Sequence, residues 1–424
     1  MCIIKHSSRT CLRILRDGLR PIILQTSTNN CIRSSSMDNI AKLETAVPII
    51  EQLNAHGHSA YIVGGAVRNY LLDIPINDVD ITTSATPDEI EAVFERTVPV
   101  GKEHGTIMVL DTGEPFEVTT YRIDGTYEDF RRPDEVIFVT ELKDDLLRRD
   151  FTINAMALDS ALHVVDYADG QHDLNHRLIR AVGNPYDRFH EDALRMIRAC
   201  RFQSTLDFRL EDETARAMKT HAQLISHVAI ERIIVEFRKL LQGLNPEAAL
   251  MTVEAAGIHA AIPVLQQLEP LMKPRHAVTL EAYFGYCLYK GQFVERGLAQ
   301  LKLSNQEKKA IKASCEIYRE LDAGAAMLLV YKYGAALVIN CLDMRAALGI
   351  PAVLTAAAVR QLHSALPIED RSEMAVDGHL LMTHLGRKGG SWLKGLLGRV
   401  EEHIVLGRLP NNKEAILKWV DDNV

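Results

Sequence analysis

The chain has 424 residues, of which 47% are hydrophobic and 25% are charged, and its formal net charge is −8. At about 150 residues per domain this length favours roughly two to four domains, with enough apolar residues for a sizeable core. The acidic balance excludes a protein that coats nucleic acid over its whole surface, and no apolar run of about 18 residues predicts a membrane span.

Residues 1–36 differ from the rest because they carry six basic side chains against one acid, Asp17. Such a stretch is typical of an organellar presequence, but it is equally compatible with an upstream stretch included by start-codon choice, with Met37 as the working start. We favour the second interpretation. The seven cysteines are scattered without a C-x-x-C pair, which indicates reduced thiols. The expected location is therefore the cytoplasm, or the mitochondrion if residues 1–36 are a genuine presequence.

The first third of the chain mixes helical and strand patterns. Apolar residues at helical spacing predict a helix from Asn39 to Gly57, and "AYIVGGAVRNYLL" then predicts a strand, a Gly-Gly turn and a helix. After Pro75 the run "DVDITT" predicts a second strand, and two further strands flank a turn at Thr112 to Pro115. This order indicates an α+β fold with a mixed or antiparallel sheet.

Beyond residue 185 the strand signals fade, and apolar residues recur at helical spacing to Val424. The second part of the chain is therefore predicted to be all-α. Predicted joints lie at Asn184–Pro185, Gln242–Pro246, Pro270–Pro274 and Leu366–Val376.

A first constellation combines Gly64, Gly65 and Arg68 with Asp78 and Asp80. Residues i and i+2 of a strand share a face, so both aspartates are predicted to project side by side, where a divalent cation would relieve their repulsion. Such hard oxygen ligands suit Mg²⁺, and the glycine turn offers N–H groups to phosphates. Each part alone is more often an ordinary turn or surface strand, and the signal lies in their conjunction.

Two further features are more ambiguous. Glu117, within "FEVTTY", is either a third carboxylate on a neighbouring strand or a solvent-facing position of an alternating pattern. In "RRDFTINA", Arg149 can meet a triphosphate and Asn154 can hydrogen-bond a sugar or base. The alternative for this segment is a surface ion-pair network.

The third constellation is "EDALRMIRACRF". On one helix, Asp192, Arg195 and Arg198 would share a polar side while Ala193 and Ile197 form part of the buried side. Asp and Arg together offer acceptors and donors that match the edge of a base, although salt bridging on an amphipathic helix is the plainer alternative.

Nearby, Arg177, Arg180 and Arg188 extend the positive character towards the joint at residue 184. An RNA end or a triphosphate could be held there by the phosphate charge.

Together, "GGAVRN", "DVDITT", "RRDFTINA", "DGQHDLNHRLIRAVG" and "EDALRMIRACRF" resemble, in order and spacing, the class II CCA-adding enzymes of the polymerase-β-like nucleotidyltransferase superfamily. The likeness runs from about Met37 to the C-terminus, whose last segment resembles the Gram-positive bacterial type. The resemblance implies Mg²⁺-dependent addition of CCA to tRNA from ATP and CTP. It also implies contact with the tRNA acceptor end, no membrane partner, and leaves a homodimer open.

The resemblance also implies roles for individual residues. Asp78 and Asp80 are similar to the metal-binding carboxylates of the family. Asp192 and Arg195 are similar to the protein template that selects C or A. The residues that resemble nucleotide contacts of the family are Gly65, Arg68, Arg149, Asp192, Arg195, Arg198 and Arg201. The segment from Tyr121 to Val136 resembles a flexible loop that helps the switch from CTP to ATP.

The domains implied are an extension over 1–36, a nucleotidyltransferase head over 37–184, a helical neck over 185–245, a helical body over 246–366 and a tRNA-binding helical tail over 367–424. One departure is visible, because Asn69 occupies the place of a family aspartate. The alternatives are a bacterial poly(A) polymerase, a partial CC- or A-adding enzyme, and an RNA-binding scaffold without activity.

Overall fold

The computed structural model of the chain describes residues 31–124, 136–321 and 326–424. Most of the N-terminal extension predicted for 1–36 lies outside these ranges. Most of the predicted flexible loop lies outside them as well.

A mixed sheet forms the centre of the first part of the chain. Its seven strands are β1 (Ala60–Val63), β2 (Asp80–Thr83), β3 (Thr97–Gly101), β4 (Thr106–Val109), β5 (Phe116–Thr120), β8 (Met156–Leu158) and β9 (Val164–Asp166). They are ordered β3-β4-β5-β2-β1-β8-β9, and β2 and β5 run parallel whereas the other neighbours are antiparallel. Two small pairs lie outside this sheet: β6 (Arg122–Asp124) with β7 (Val136–Phe138), and β10 (Leu178–Ile179) with β11 (Arg209–Leu210).

Helices cover this sheet, and one sequence prediction about them is wrong. The helices are α1 (Cys31–Glu44), α2 (Val47–Ala55), α3 (Gly65–Leu71), α4 (Pro87–Val93), α5 (Leu142–Leu147) and α6 (Gly170–Asn175). The single helix predicted from Asn39 to Gly57 is two, because Pro48 lies in the first turn of α2. Proline lacks an N–H and its ring clashes with the preceding turn, so it starts a helix rather than continuing one.

The strand predicted over "DVDITT" begins later than expected. β2 starts at Asp80, and Asp78 lies in the irregular segment that leads to it. That segment is held by the side chain of Asn39, whose Nδ2 donates to the Ile74 carbonyl (2.9 Å) and whose Oδ1 accepts from the Ile76 N–H (3.0 Å). These side-chain bonds replace strand pairing, so Asp78 and Asp80 are not neighbours on one strand face.

The second part of the chain is helical, as predicted. Its helices are α7 (Pro185–Glu191), α8 (Leu194–Leu206), α9 (Asp212–His221), α10 (Ile230–Leu241), α11 (Pro246–Ala255), α12 (Leu280–Tyr289), α13 (Asn305–Leu321), α14 (Ala326–Tyr333), α15 (Ala335–Ala347), α16 (Ala356–Ser364), α17 (Gly378–Leu385), α18 (Ser391–Val405) and α19 (Lys413–Asn423). A mixed sheet followed by helices confirms the α+β prediction. Within the described ranges no helix is both long and apolar enough to cross a bilayer.

Two hydrophobic cores organise these elements. One extends from Leu43 to Val359 and joins the sheet to the helices that follow it, which fixes the sheet against α8 and α10. The other runs from Ile368 to Val420 and belongs to the last helices. The helices α7 and α11 both begin at an Asn-Pro pair whose asparagine caps the first turn. The domain bounds themselves stay a prediction.

Candidate active site

Carboxylates from two neighbouring strands meet at one edge of the sheet. Asp80 opens β2 and pairs in parallel register with Glu117 of β5, while the next pair, Ile81 and Val118, is buried. Asp80 and Glu117 are thus on the same, exposed face. Asp78 lines the same cavity of about 430 Å³ as these two residues. The three carboxylates are therefore brought together, although by a loop and two strands rather than by one strand.

The charge at this edge affects Asp80. Although Asp80 is exposed at the cavity, desolvation by the surrounding protein and then the charge of Glu117 raise its pKa; Asp78 adds to this effect, and Arg149 opposes it. Among the described residues, no group of three or more His, Cys, Asp or Glu side chains is arranged to hold a metal ion. Asp78 and Asp80 are still hard oxygen donors that fit a divalent cation completed by water and substrate phosphates.

A second, basic cavity of about 410 Å³ shares Asp80 with the first, so this residue lines both. Every residue predicted to contact the nucleotide lines it. Its walls are Gly64, Gly65, Arg68, Asp80, Arg148, Arg149, Asp150, Asn154, Asp192, Arg195, Arg198, Arg201 and Phe202. Six arginines around one cavity make it suited to an anion of high charge.

The glycine turn at Gly64 allows the Arg149 side chain to approach the start of α3 closely. Gly64 precedes α3 with φ 72°, a left-handed conformation that favours glycine. A Cβ there would lie 3.3 Å from Nη1 of Arg149. The turn therefore lets Arg149 lie against the start of α3.

Arg148 and Arg149 are held from behind by one buried carboxylate. Asp145 of α5 is fully buried and accepts from Nε of Arg148 and from Nη2 of Arg149, both at 2.9 Å. Burial acts against ionisation, but the charges of Arg149 and Arg148 lower the pKa of Asp145 overall. The ion pairs that were the alternative interpretation of "RRDFTINA" are thus present. Their carboxylate is buried, however, and both arginines also line the basic cavity.

The predicted recognition helix α8 begins after Asp192, not before it. Oδ1 of Asp192 accepts from the N–H of Leu194 (3.0 Å), so this aspartate lies in the turn between α7 and α8 rather than on the polar side of α8. Ala193 and Ile197 are buried as predicted. Arg195 donates to Oε2 of Glu191 (2.7 Å), and it still lines the basic cavity.

Three charged partners of these residues were missed by sequence reasoning. Asp150 accepts from Nε (2.8 Å) and Nη2 (2.6 Å) of Arg198, and although burial opposes it, the charge of Arg198 lowers the pKa of Asp150 to about 2. From α10, Glu236 pairs with Nε of Arg201 (2.7 Å) and Arg232 donates to Asp192 (3.0 Å).

A signal for two of these partners was present in the sequence. Arg232 and Glu236 are four residues apart on an amphipathic helix, and Glu236 lies next to the apolar residue Phe237 on its buried side. A charged side chain on a buried face needs an opposite charge, so it predicts a partner on the facing helix.

The other arginines near the joint lie elsewhere. Arg177, Arg180 and Arg188 do not line the basic cavity, and they pair with Asp207 (2.9 Å), Asp173 (3.0 Å) and Glu191 (3.0 Å). The extension of positive character predicted for them is largely neutralised.

Comparison with known proteins gives the family. The models "Poly A polymerase head domain", "Probable RNA and SrmB- binding site of polymerase A" and "tRNA nucleotidyltransferase domain 2" match residues 60–180, 207–268 and 281–420. The chain is 42% identical over 393 residues to the CCA-adding enzyme of Staphylococcus saprophyticus, covering 90% of this chain and 98% of that one. The chain belongs to the CCA-adding enzymes.

Other CCA-adding enzymes show the same relation. That of Staphylococcus aureus strain Mu3 is also 42% identical over 393 residues, with 90% and 98% of the two chains covered. The structure of the Bacillus stearothermophilus CCA-adding enzyme in complex with CTP is 34% identical, with a TM-score of 0.78 over 89% of this chain and 96% of that one. The Thermotoga maritima CCA-adding enzyme, at 19% identity and a TM-score of 0.59 over 92% and 98%, shares the fold. The resemblance seen in the motifs is confirmed, and the chain is a nucleotidyltransferase.

Proposed function

We propose that this chain adds and repairs the 3′-terminal C-C-A of tRNA from CTP and ATP, without a nucleic-acid template and with release of pyrophosphate. The observation that carries the proposal is the position of Asp80, which lines both a basic cavity and an acidic one. In transfer to an RNA 3′ end the hydroxyl attacks the α-phosphorus opposite the leaving pyrophosphate. Two cavities that share one carboxylate could hold the triphosphate in one and receive the RNA 3′ end from the other.

The basic cavity suits the incoming nucleotide. Arg68 and Arg149 offer charged donors to the triphosphate, and the N–H groups at Gly65 can approach it closely. The ring of Phe202 lies 3.7 Å from the guanidinium of Arg201 and provides an apolar surface in the cavity wall.

Selection of C or A is assigned to the residues around the start of α8. Asp192 contributes carboxylate acceptors and Arg195 contributes donors, a pairing that can match the edge of a base. Arg198 and Arg201 continue the same wall. Because Glu236 and Arg232 of α10 hold three of these side chains, the base would meet a fixed pattern.

We assign Asp78 and Asp80 as ligands of Mg²⁺, with Glu117 beside them as a third carboxylate. When bound, the metal would activate the attacking hydroxyl and neutralise the departing pyrophosphate. The protein ligands orient the phosphate, and the raised pKa of Asp80 fits a carboxylate that is most stable beside a cation.

The tRNA acceptor end is placed against the head and neck, and the helical tail after residue 366 is assigned to tRNA binding. The bacterial relatives favour the cytoplasm as the site of action. A mitochondrial location applies only if residues 1–36 are a presequence.

The test is incubation of the purified chain with Mg²⁺ and a tRNA that lacks its terminal CCA, with CTP, ATP or both. We expect three added nucleotides with both and two with CTP alone. A long adenylate ladder from ATP would identify a poly(A) polymerase. Binding of tRNA without incorporation would identify an inactive scaffold.

A further inference from the structure

We infer that Asn69 is a positioning residue of the nucleotide site. Its neutral amide holds the Arg68 guanidinium without cancelling the guanidinium charge. Arg68 therefore remains the charged anchor of the triphosphate. This inference rests on the proposed function, because it assumes a nucleoside triphosphate in the basic cavity. It concerns a motif position at which the resemblance to the family implies an aspartate.

The arginines of the basic cavity differ in their partners. Five of the six pair with a carboxylate, and these pairs are Arg148 and Arg149 with Asp145, Arg195 with Glu191, Arg198 with Asp150, and Arg201 with Glu236. Among the described residues, Arg68 alone of the six has amide partners only. A paired arginine presents much less net charge to a ligand, so the attraction for phosphate is concentrated at Arg68.

The two amides fix the plane of the Arg68 guanidinium. Oδ1 of Asn69 accepts from Nε (3.2 Å) and Nη2 (2.9 Å), and Oδ1 of Asn154 accepts from Nη1 (2.6 Å). The ring of Phe202 lies 5.0 Å from the guanidinium carbon. Three of the five N–H groups of an arginine are thereby used, and two are left for a ligand.

The other end of the Asn69 amide is also used. Its Nδ2 donates to the Pro75 carbonyl (3.0 Å), which belongs to the segment that leads to Asp78. A carboxylate at this position cannot donate that hydrogen bond and would repel the carbonyl oxygen. The Asn69 amide therefore joins Arg68 to the segment that leads to Asp78. An aspartate at this position would lose the hydrogen bond to the Pro75 carbonyl and would also neutralise the charge of Arg68.

The electrostatic surroundings agree with an uncompensated charge. Burial, followed by the charge of Arg201, lowers the pKa of Arg68 to about 10, whereas the charge of Asp150 acts in the opposite direction. A phosphate in the cavity would relieve this unfavourable charge.

The experiment compares wild type, Asn69→Asp and Asn69→Ala in the full chain. CTP affinity is measured by calorimetry at two salt concentrations, and KM and kcat are measured with a tRNA lacking CCA. We expect Asn69→Asp to weaken CTP binding by about tenfold and to reduce its salt dependence, since one opposing charge is added beside the anchor. Asn69→Ala should keep the salt dependence and lower kcat, because the charge remains but its position is lost.

Controls separate the possible failures. Asn54→Asp makes the same exchange at an exposed position of α2 away from both cavities, and it should behave as wild type. Equal CTP affinity in Asn69→Asp and wild type would overturn the inference about charge, and unchanged kinetics in Asn69→Ala would overturn the positioning role. If wild type itself neither binds CTP nor extends tRNA, the proposed function fails instead.

A second comparison does not depend on folding of the Asn69 variants. Arg68→Gln should weaken CTP binding and reduce its salt dependence more than Arg149→Gln, because the charge of Arg149 is partly offset by Asp145, which it shares with Arg148. The reverse order would overturn the inference.

Discussion

At the scale of single residues, the site consists of charged side chains that would destabilise the fold without their partners. Asp80 faces Glu117 across two strands, and Asp145 is buried behind two arginines. The sequence predicted the ligand-facing members of these groups because their motifs follow one another closely. It did not predict Asp145 as their support, because a buried carboxylate is recognised only once the fold shows what surrounds it.

Replacement of Asp80 by Asn should lower nucleotide incorporation by on the order of 10³-fold or more, since a proposed metal ligand and its charge are lost. The same change should leave Tm unchanged or slightly higher. Because the pKa of Asp80 is raised in the folded protein, its ionised form destabilises the fold, and this cost appears as pH rises through that pKa. Incorporation assays and thermal unfolding at neutral pH measure both effects.

Asp88→Asn, at an exposed position in the same part of the chain, should preserve incorporation. A large drop in Tm for Asp80→Asn would show that the carboxylate is structural. Asp78→Ala should likewise lower nucleotide incorporation without a large drop in Tm.

Replacement of Asp145 by Ala should destabilise the fold by roughly 3–5 kcal/mol, because Arg148 and Arg149 would lose their buried counter-charge. Urea unfolding measures this loss. Asp144→Ala is the matched control, because its side chain is exposed on the same helix. Similar stability of both variants would contradict the assigned support of the basic pair.

At the scale of elements, α8 shows what helical spacing can and cannot predict. Ala193 and Ile197 are buried as the helical period predicted, but Arg195, predicted on the polar side, is buried as well. The start of α8 was predicted too early, because Asp192 accepts from a backbone N–H in the turn between α7 and α8. The late start of β2 has the same origin, since the bonds from Asn39 are long-range in sequence.

Substitution of Asp192 or Arg195 by Ala should reduce the discrimination between CTP and ATP, because acceptors or donors that face the base are removed. Each good polar contact of this kind is worth about 1–3 kcal/mol, which corresponds to roughly 5- to 150-fold in selectivity. Competition between CTP and ATP on a tRNA lacking CCA measures the effect. Asp187→Ala, exposed on α7, should retain selectivity, and unchanged selectivity in the Asp192 and Arg195 variants would refute the template assignment.

At the scale of the whole molecule, the two cores distinguish the tail from the rest. Composition and helical spacing predicted a sheet-containing part followed by helices. They could not show that the sheet and the helices up to Val359 share one core, because this depends on contacts distant in sequence. The polar network joins α8 and α10, two helices whose apolar residues belong to that shared core.

Gly243→Ala should destabilise the chain by about 1–3 kcal/mol, because its Cβ would lie 2.2 Å from Oγ of Ser204 and 2.6 Å from the Ser204 carbonyl carbon. Gly395→Ala, in the tail helix α18 with no atom within 4 Å of the new Cβ, should instead be neutral or stabilise by about 0.5–1 kcal/mol. Thermal and urea unfolding of both variants measure the contrast. Equal losses would mean that the close contact at Ser204 relaxes without cost.

The ion pair between Asp150 and Arg198 has a mechanical consequence. Asp150 directly follows the basic pair and is buried, whereas Arg198 is in the middle of α8 with a third of its side chain exposed. Separating the pair would leave a buried carboxylate without its counter-charge, so separation at this point is costly. Successive additions lengthen the RNA by one nucleotide at a time. The growing end must therefore be accommodated while the Asp150–Arg198 ion pair stays intact. Any hinge that serves this motion is therefore expected away from the Asp150–Arg198 contact.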